Sequence, residues 1–220
     1  RDRLRHFLAR AADWKKIRHI KGRAVVNEVE PPMSVVRDVM ATPDMPLPVL
    51  TRIVQTPIFA EDGALQSVPG YQVASQTFYF PQDGLEIPTV GDSPSEQSVQ
   101  EAVSLIVDDL LTDFPFNSES ERATAISLLL LPFAREMIDS ATPLHLFEKP
   151  SPGTGATLLV DMLTYPATGW PIPAMTEGNN EEEWRKRVTA KLMTGPQFLL
   201  LDNLRHRLDS SAVSSAITAP

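Results

Sequence analysis

The first half of the chain contains short apolar runs whose period changes from helical to extended. In residues 2–19 apolar side chains recur every three or four positions, which predicts an amphipathic helix. Its apolar set is Leu4, Phe7, Leu8, Ala11, Ala12 and Trp14. Residues 24–29 have an extended pattern that two prolines end, and residues 49–80 predict strands with a hairpin at Asp62-Gly63.

The second half begins with a linker, residues 82–95, which is rich in Pro, Gly, Ser and Asp. An apolar helical pattern follows, and either Ser93 or Ser95 is placed to cap its start. Ser118 with Glu121 forms a capping-box pattern, which predicts the start of a second and strongly apolar helix.

Strand-like and helical patterns then alternate to the end of the chain. Short apolar runs at 144–147, 172–175 and 197–201 are typical of buried parallel strands. Helices are predicted to begin near Thr157 and Asn180, between these runs, and a last helix follows the third run. The pattern therefore predicts an α/β fold in which helices flank a parallel sheet.

This alternation also predicts the domain organisation. We expect residues 1–92 to hold a basic helix and a small β-rich domain. Residues 93–220 are expected to hold a helical lead-in and the α/β core, whose remaining elements would lie beyond residue 220.

A glycine-rich loop joins the first predicted strand of the core to its helix, within residues 149–160. A phosphate-binding loop has the pattern G-x-x-x-x-G-K-[ST] in this strand–helix context. Gly153 and Gly155 would turn backbone N–H groups toward phosphate oxygens. Thr157 stands where a hydroxyl ligates Mg²⁺. The alternative interpretation is an ordinary Pro-Gly turn.

The loop departs from the active pattern at two positions. Pro150 replaces the first glycine and Ala156 replaces the lysine that bridges the β- and γ-phosphates. Lys149 lies seven residues before Ala156, and the sequence offers no geometric reason for it to reach the same oxygens.

An acid follows the third apolar run, as in P-loop ATPases. Asp202 stands where such enzymes hold Mg²⁺, although an aspartate after a buried strand can also be an ordinary loop residue. Asn203 occupies the next position, where many of these enzymes have a glutamate. An amide orients a water molecule but cannot take its proton. Magnesium ligation is therefore expected to survive, whereas fast hydrolysis is not.

Composition further narrows the classes of protein to which the chain could belong. The 220 residues include no cysteine, which excludes disulfides and thiolate metal sites. No apolar run has the length of a membrane span, so we expect a cytoplasmic protein with no membrane partner. The net charge is −8, yet residues 1–23 alone carry +7. That segment either contacts a phosphate backbone or an acidic partner, or it is a solvated helix face.

Four aromatic residues cluster in the β-rich region. Tyr71, Phe78, Tyr79 and Phe80 could stack nucleic-acid bases, but few basic residues lie among them. We therefore favour a small hydrophobic core.

Three segments resemble the AAA+-like ATPase region of primase–helicase-type replication proteins of phages, plasmids and other mobile elements. They are residues 150–159, 181–189 and 199–204, and residues 56–63 and 69–71 resemble the segment that precedes that region. The resemblance implies a P-loop NTPase core that binds ATP and Mg²⁺ and works on DNA as a homo-oligomeric ring.

The resemblance also implies roles for individual residues. Metal ligation would fall to Thr157 and Asp202, and the catalytic positions would be Asp202 and Asn203. The nucleotide-binding residues would be Pro152, Gly153, Thr154, Gly155, Ala156, Thr157 and Leu158. The chain departs from the family at Ala156 and Asn203, and it ends before the polar sensor and the arginine finger of such ATPases.

Three hypotheses follow from these observations. The first is a helicase-type ATPase of a mobile-element replication protein. The second is a non-catalytic P-loop module that serves as an assembly scaffold or docks on DNA. The third is a metabolic kinase or transferase on the same fold, because a fold does not determine a function.

Overall fold

The computed structural model describes residues 1–91, 93–149, 151 and 153–219. The chain forms two compact units, Arg1–Pro48 and Val49–Pro220. The structure is mixed α/β, with helices and several small sheets, one of which is parallel. The units divide at Pro48, and the domain boundary expected at residue 92 stays a prediction about the organisation of the whole protein.

The first unit contains two helices and a hairpin. Helix α1 (Asp2–Ala11) is followed by strands β1 (Lys15–Ile20) and β2 (Arg23–Glu28) and by helix α2 (Met33–Ala41). The extended pattern of residues 24–29 is confirmed by β2. The helix predicted over residues 2–19 is wrong beyond Ala11.

The early end of α1 has a local cause. Ala12 already has an extended backbone, and the Trp14 indole donates a hydrogen bond of 2.8 Å to the Leu8 carbonyl. Lys21 and Gly22 then form a two-residue turn, with φ of 49° and 76°. Turns with two positive φ angles match the twist of paired strands, so this turn selects a hairpin over a continued helix.

The second unit begins with five short strands in two sheets. They are β3 (Arg52–Val54), β4 (Ile58–Phe59), β5 (Leu65–Gln66), β6 (Gly70–Gln72) and β7 (Thr77–Tyr79). Strand β7 lies between β3, to which it is parallel, and β6, to which it is antiparallel. Strands β4 and β5 form the predicted hairpin, closed by a hydrogen bond of 2.9 Å from Gly63 N–H to the Ala60 carbonyl.

The aromatic residues of this region do not share one core. Tyr79 is buried with Val54 and Ile58. Phe78 and Phe80 are 38% and 59% exposed, so the predicted aromatic core is wrong for these two side chains.

Helices dominate the rest of the unit. They are α3 (Glu96–Ser104), α4 (Glu119–Ala134), α5 (Ala156–Thr168), α6 (Glu181–Leu192) and α7 (Ser211–Thr218). A π-helical segment, Leu105–Leu110, continues α3, and a 3-10 turn, Arg135–Met137, continues α4. None of the helices in the described ranges has the combination of length and apolar character that a membrane span requires.

Two cores hold these helices. Helices α4 and α5 pack around a buried cluster of six residues, which are Leu111, Ala125, Leu128, Leu129, Leu159 and Leu163. A second cluster joins α6 to α7 through Trp184, Val188 and Val213. The first core fixes the position of α5, the helix that follows the glycine-rich loop.

The parallel sheet of the core has two strands in the described part of the chain. Strand β8 (Ala174–Met175) pairs with β9 (Leu200–Leu201), which places both within the predicted runs 172–175 and 197–201. The strand predicted at 144–147 is wrong, because these residues form no ladder. They line a cavity together with β9 and do not pair with it. A parallel strand pair is thus confirmed, and a complete P-loop core is not.

Candidate functional site

The glycine-rich loop has a backbone that only glycine adopts at little cost. Gly153 and Gly155 both have φ of +85°. The Thr154 hydroxyl donates a hydrogen bond of 3.1 Å to the Ser151 carbonyl, which closes the turn on itself. Pro152, a predicted nucleotide-binding residue, lies outside the described residues, as does Pro150.

Helix α5 starts directly after this loop. Gly155 is its N-cap, and no side-chain hydrogen bond caps the helix start. The first N–H groups of a helix have no partner within the helix, and they carry the positive end of its dipole. An uncapped start of this kind is a ready anion-binding feature. Thr157 is exposed on the first turn, while Leu159 is buried in the core and anchors that turn.

The predicted acid lies at the end of the parallel strand pair. Asp202 N–H donates a hydrogen bond of 3.0 Å to the Met175 carbonyl, which extends the pairing of β8 and β9 by one residue. One Asp202 carboxylate oxygen accepts a hydrogen bond of 2.8 Å from Asn203 N–H. Asn203 has φ of 57°, a left-handed conformation that asparagine tolerates better than most residues.

One cavity of about 960 Å³ brings the helix start and the strand end together. Its lining includes Ala156 and Thr157 from α5, and Asp202 and Asn203 after β9. The structure therefore gathers four of the predicted site residues around one hollow. Gly153, Thr154 and Gly155 form the loop but do not line the cavity, and Leu158 points away with 63% of its surface exposed.

Basic residues for which the sequence predicted no role also line this cavity. They are Lys149, Arg205 and His206. The signal for two of them was present, because a basic run at 205–207 follows closely after Asp202. No feature of the sequence indicated Lys149, because its position depends on where residues 144–149 run relative to β9.

Glu177 holds the loop that carries Arg205 and His206. Its carboxylate accepts hydrogen bonds from the backbone N–H groups of these two residues, at 3.1 and 3.3 Å. The His206 ring nitrogen Nδ1 lies 2.9 Å from the other Glu177 oxygen. Partial burial opposes ionisation of Glu177, but these hydrogen bonds outweigh it and hold its pKa below the usual value. The loop is therefore anchored while Glu177 is ionised.

His145 lines the same cavity but adds no fixed charge. Its Nε2 atom lies 3.1 Å from the Ser127 hydroxyl. Burial lowers the pKa of His145, and a hydrogen bond with the Pro143 backbone opposes this only in part. The imidazole therefore adds no charge at neutral pH, and the fixed charges of the lining are those of Lys149 and Arg205 against those of Glu148 and Asp202.

The oxygen atoms at the cavity decide whether it could hold a metal ion. Within the described ranges, no group of three or more His, Asp or Glu residues could hold a metal ion. Magnesium does not require such a group beside a nucleotide, because it takes one or two protein oxygens and completes its shell with phosphates and water. The Thr157 hydroxyl and the Asp202 carboxylate, both at the cavity, fit this requirement.

Comparison with known proteins identifies no relative of the chain. No protein-family model, no curated protein and no solved structure matches the chain.

Proposed function

We propose that this chain binds a nucleoside triphosphate, with ATP and Mg²⁺ as its ligands, in the cavity between α5 and β9. The observation that supports this most directly is the shared lining by Thr157, at the uncapped helix start, and Asp202, at the strand end. The volume of about 960 Å³ lies within the range of small-molecule sites.

The phosphates would contact the N-terminus of α5. The backbone N–H groups of Ala156 and Thr157 would donate to phosphate oxygens, and the helix dipole would favour their negative charge. The Thr157 hydroxyl and the Asp202 carboxylate would hold Mg²⁺, which neutralises phosphate charge when bound. Lys149 and Arg205 would supply part of the positive charge that Ala156 lacks.

Hydrolysis is not part of this proposal. Ala156 cannot stabilise the charge that develops on a transferred phosphoryl group, and Asn203 cannot accept a proton from water. The chain is thus proposed as a nucleotide-binding module in which turnover is slow or absent. This favours the non-catalytic P-loop scaffold over the active ATPase.

A wider role follows from the sequence resemblance alone. It is that of a helicase-like module in the DNA replication protein of a phage or other mobile element. In that role the full-length protein would assemble as a homo-oligomeric ring on DNA.

Isothermal titration of ATP with Mg²⁺ into the full chain tests the proposal. Asp202→Ala should weaken binding about tenfold or more and abolish its dependence on Mg²⁺, because a metal ligand is lost. Asp109→Ala is the matched control, since Asp109 is exposed and lies outside the cavity lining. Ala156→Lys should tighten binding, whereas Ala190→Lys on the exposed face of α6 should not.

The proposal fails if millimolar ATP with Mg²⁺ produces neither heat nor a rise in melting temperature. A ligand that binds only the folded state must stabilise it. Equal weakening by Asp202→Ala and Asp109→Ala would also contradict the assigned cavity.

A further inference from the structure

The hairpin of the first unit is an exposed ribbon. All twelve residues of β1 and β2 are exposed to solvent, including apolar Ile17, Ile20 and Val26. A two-stranded hairpin alone is only marginally stable in water. An exposed ribbon of this kind is suited to contact with another molecule.

The register divides the charges unequally between the two faces. Residues directly opposite each other in an antiparallel pair share a face, and side chains alternate along each strand. Lys16 pairs with Asn27, Arg18 with Val25, and Ile20 with Arg23. These six residues form one side of the ribbon, here called the basic face, which has three cations and no carboxylate.

The opposite face is different. It carries Lys15, His19 and Glu28 with three apolar residues. Lys15 lies 3.9 Å from the Asp13 carboxylate, so its charge is partly compensated. Within the described ranges, none of Lys16, Arg18 and Arg23 makes an ion pair. Uncompensated positive charge is therefore concentrated on the basic face.

We propose that the basic face of this hairpin binds duplex DNA in the major groove. Six residues per strand give a ribbon about 20 Å long. The major groove of B-form DNA is about 12 Å wide and admits a two-stranded ribbon. Lys16, Arg18 and Arg23 then contact phosphates on the groove walls, and the Asn27 amide faces the base edges.

The composition of the ribbon selects duplex DNA among nucleic acids. Proteins that bind single strands stack bases on aromatic side chains, and residues 15–28 contain no Phe, Tyr or Trp. The major groove of duplex RNA is too deep and narrow for side chains to read. This inference does not rest on the nucleotide site, because the ribbon belongs to the first compact unit and the cavity to the second.

Fluorescence anisotropy with the full chain and a labelled duplex of about two helical turns tests the proposal. The basic-face variant is Lys16→Gln/Arg18→Gln/Arg23→Gln. The matched control, Arg1→Gln/Arg3→Gln/Arg10→Gln, removes the same number of charges from exposed positions around α1. Circular dichroism establishes that each variant keeps the fold, which is expected because every substituted side chain is exposed.

The expected result is a change in salt dependence. Each lost phosphate contact reduces the slope of log affinity against log salt by about 0.9, so three contacts reduce it by about 2.7. Between about 50 and 200 mM salt, the wild-type chain should lose about 40-fold more affinity than the basic-face variant. The single variant Arg18→Gln should reduce the slope by about 0.9.

Three outcomes would overturn the proposal. The first is a basic-face variant that binds the duplex like the wild type. The second is an equal loss of slope in the control variant, which would assign binding to general positive charge. The third is tighter binding of the wild type to single-stranded DNA, to duplex RNA or to anionic lipid vesicles than to duplex DNA.

Discussion

Ala156 and Lys149 are the two residues that bear most directly on the proposed nucleotide site. Ala156 is only half-buried and lines the cavity, so a longer side chain at this position has space to extend. Lys149 lines the same cavity from the other end of the loop. In the P-loop pattern the lysine at the position of Ala156 carries the charge that offsets the phosphates. In the proposed site that charge would come from Lys149, at a different backbone position.

Moving the lysine from position 149 to position 156 tests whether Lys149 replaces the P-loop lysine in binding phosphate. Lys149→Ala should weaken ATP binding about tenfold, because an ion pair with phosphate in a partly enclosed site contributes on the order of 1.4 kcal/mol. The double variant Lys149→Ala/Ala156→Lys should recover the loss, since it restores one cation to the cavity. Titration calorimetry measures both constants. Unchanged binding by Lys149→Ala would show that this lysine has no part in recognition.

At the scale of elements, helix α5 positions the site because one side of it is buried. Leu159 and Leu163 pack against α4, whereas Leu158 faces solvent. Caps contribute to the boundaries of the other helices. Glu183 N–H donates a hydrogen bond of 2.9 Å to the Asn180 side chain at the start of α6. Ser95, Ser118 and Ser210 cap α3, α4 and α7 in the same way.

Two leucine truncations within α5 measure the anchoring of this helix. Leu163 is fully buried, so Leu163→Ala should lower the free energy of unfolding by about 2–5 kcal/mol. Leu158→Ala should change it by less than about 0.5 kcal/mol, because the side chain is mostly exposed. Urea denaturation followed by circular dichroism gives both values. Similar losses at the two positions would mean that α5 does not pack through this side.

At the scale of the whole molecule, acid should destabilise the second unit through a set of glutamates on α6 and just before it. The Glu181 carboxylate accepts hydrogen bonds of 2.6 Å from the Ser211 hydroxyl and 2.9 Å from Ala212 N–H, and these lower its pKa. The Asn179 backbone N–H, together with Arg187, lowers the pKa of Glu183. The pKa of Glu177 is also below its usual value.

The lowered pKa values of these carboxylates determine whether stability rises or falls with pH. A carboxylate with a lowered pKa in the folded state stabilises that state above its usual pKa, and this stabilisation is lost as the pH falls through the folded-state value. The urea midpoint should therefore decrease between neutral pH and about pH 3. Glu181→Gln/Glu183→Gln should flatten this decrease. Glu182→Gln, which removes only a surface pair with Lys186, should not.

Local signals allowed much of the fold to be predicted from the sequence. The helix caps at Ser118 and Asn180, the hairpin at Asp62-Gly63 and the helix after the glycine-rich loop each depend on neighbours within a few residues. Hydrogen bonds and φ preferences that involve residues only a few positions apart do not depend on the rest of the molecule. The helical pattern of residues 2–19 gave a wrong prediction beyond Ala11. The turn at Lys21-Gly22 is encoded just as locally, and it favours a hairpin over a continued helix.

The sequence by itself determined the loop, the helix that follows it and the acid after β9, because each is encoded by adjacent residues. The tertiary structure alone decided that Thr157 and Asp202 line one cavity and that Lys149 joins them. It also decided that residues 144–147 lie unpaired beside that cavity. The physical reason is that strand pairing and cavities depend on contacts between residues distant in sequence, which no local pattern specifies.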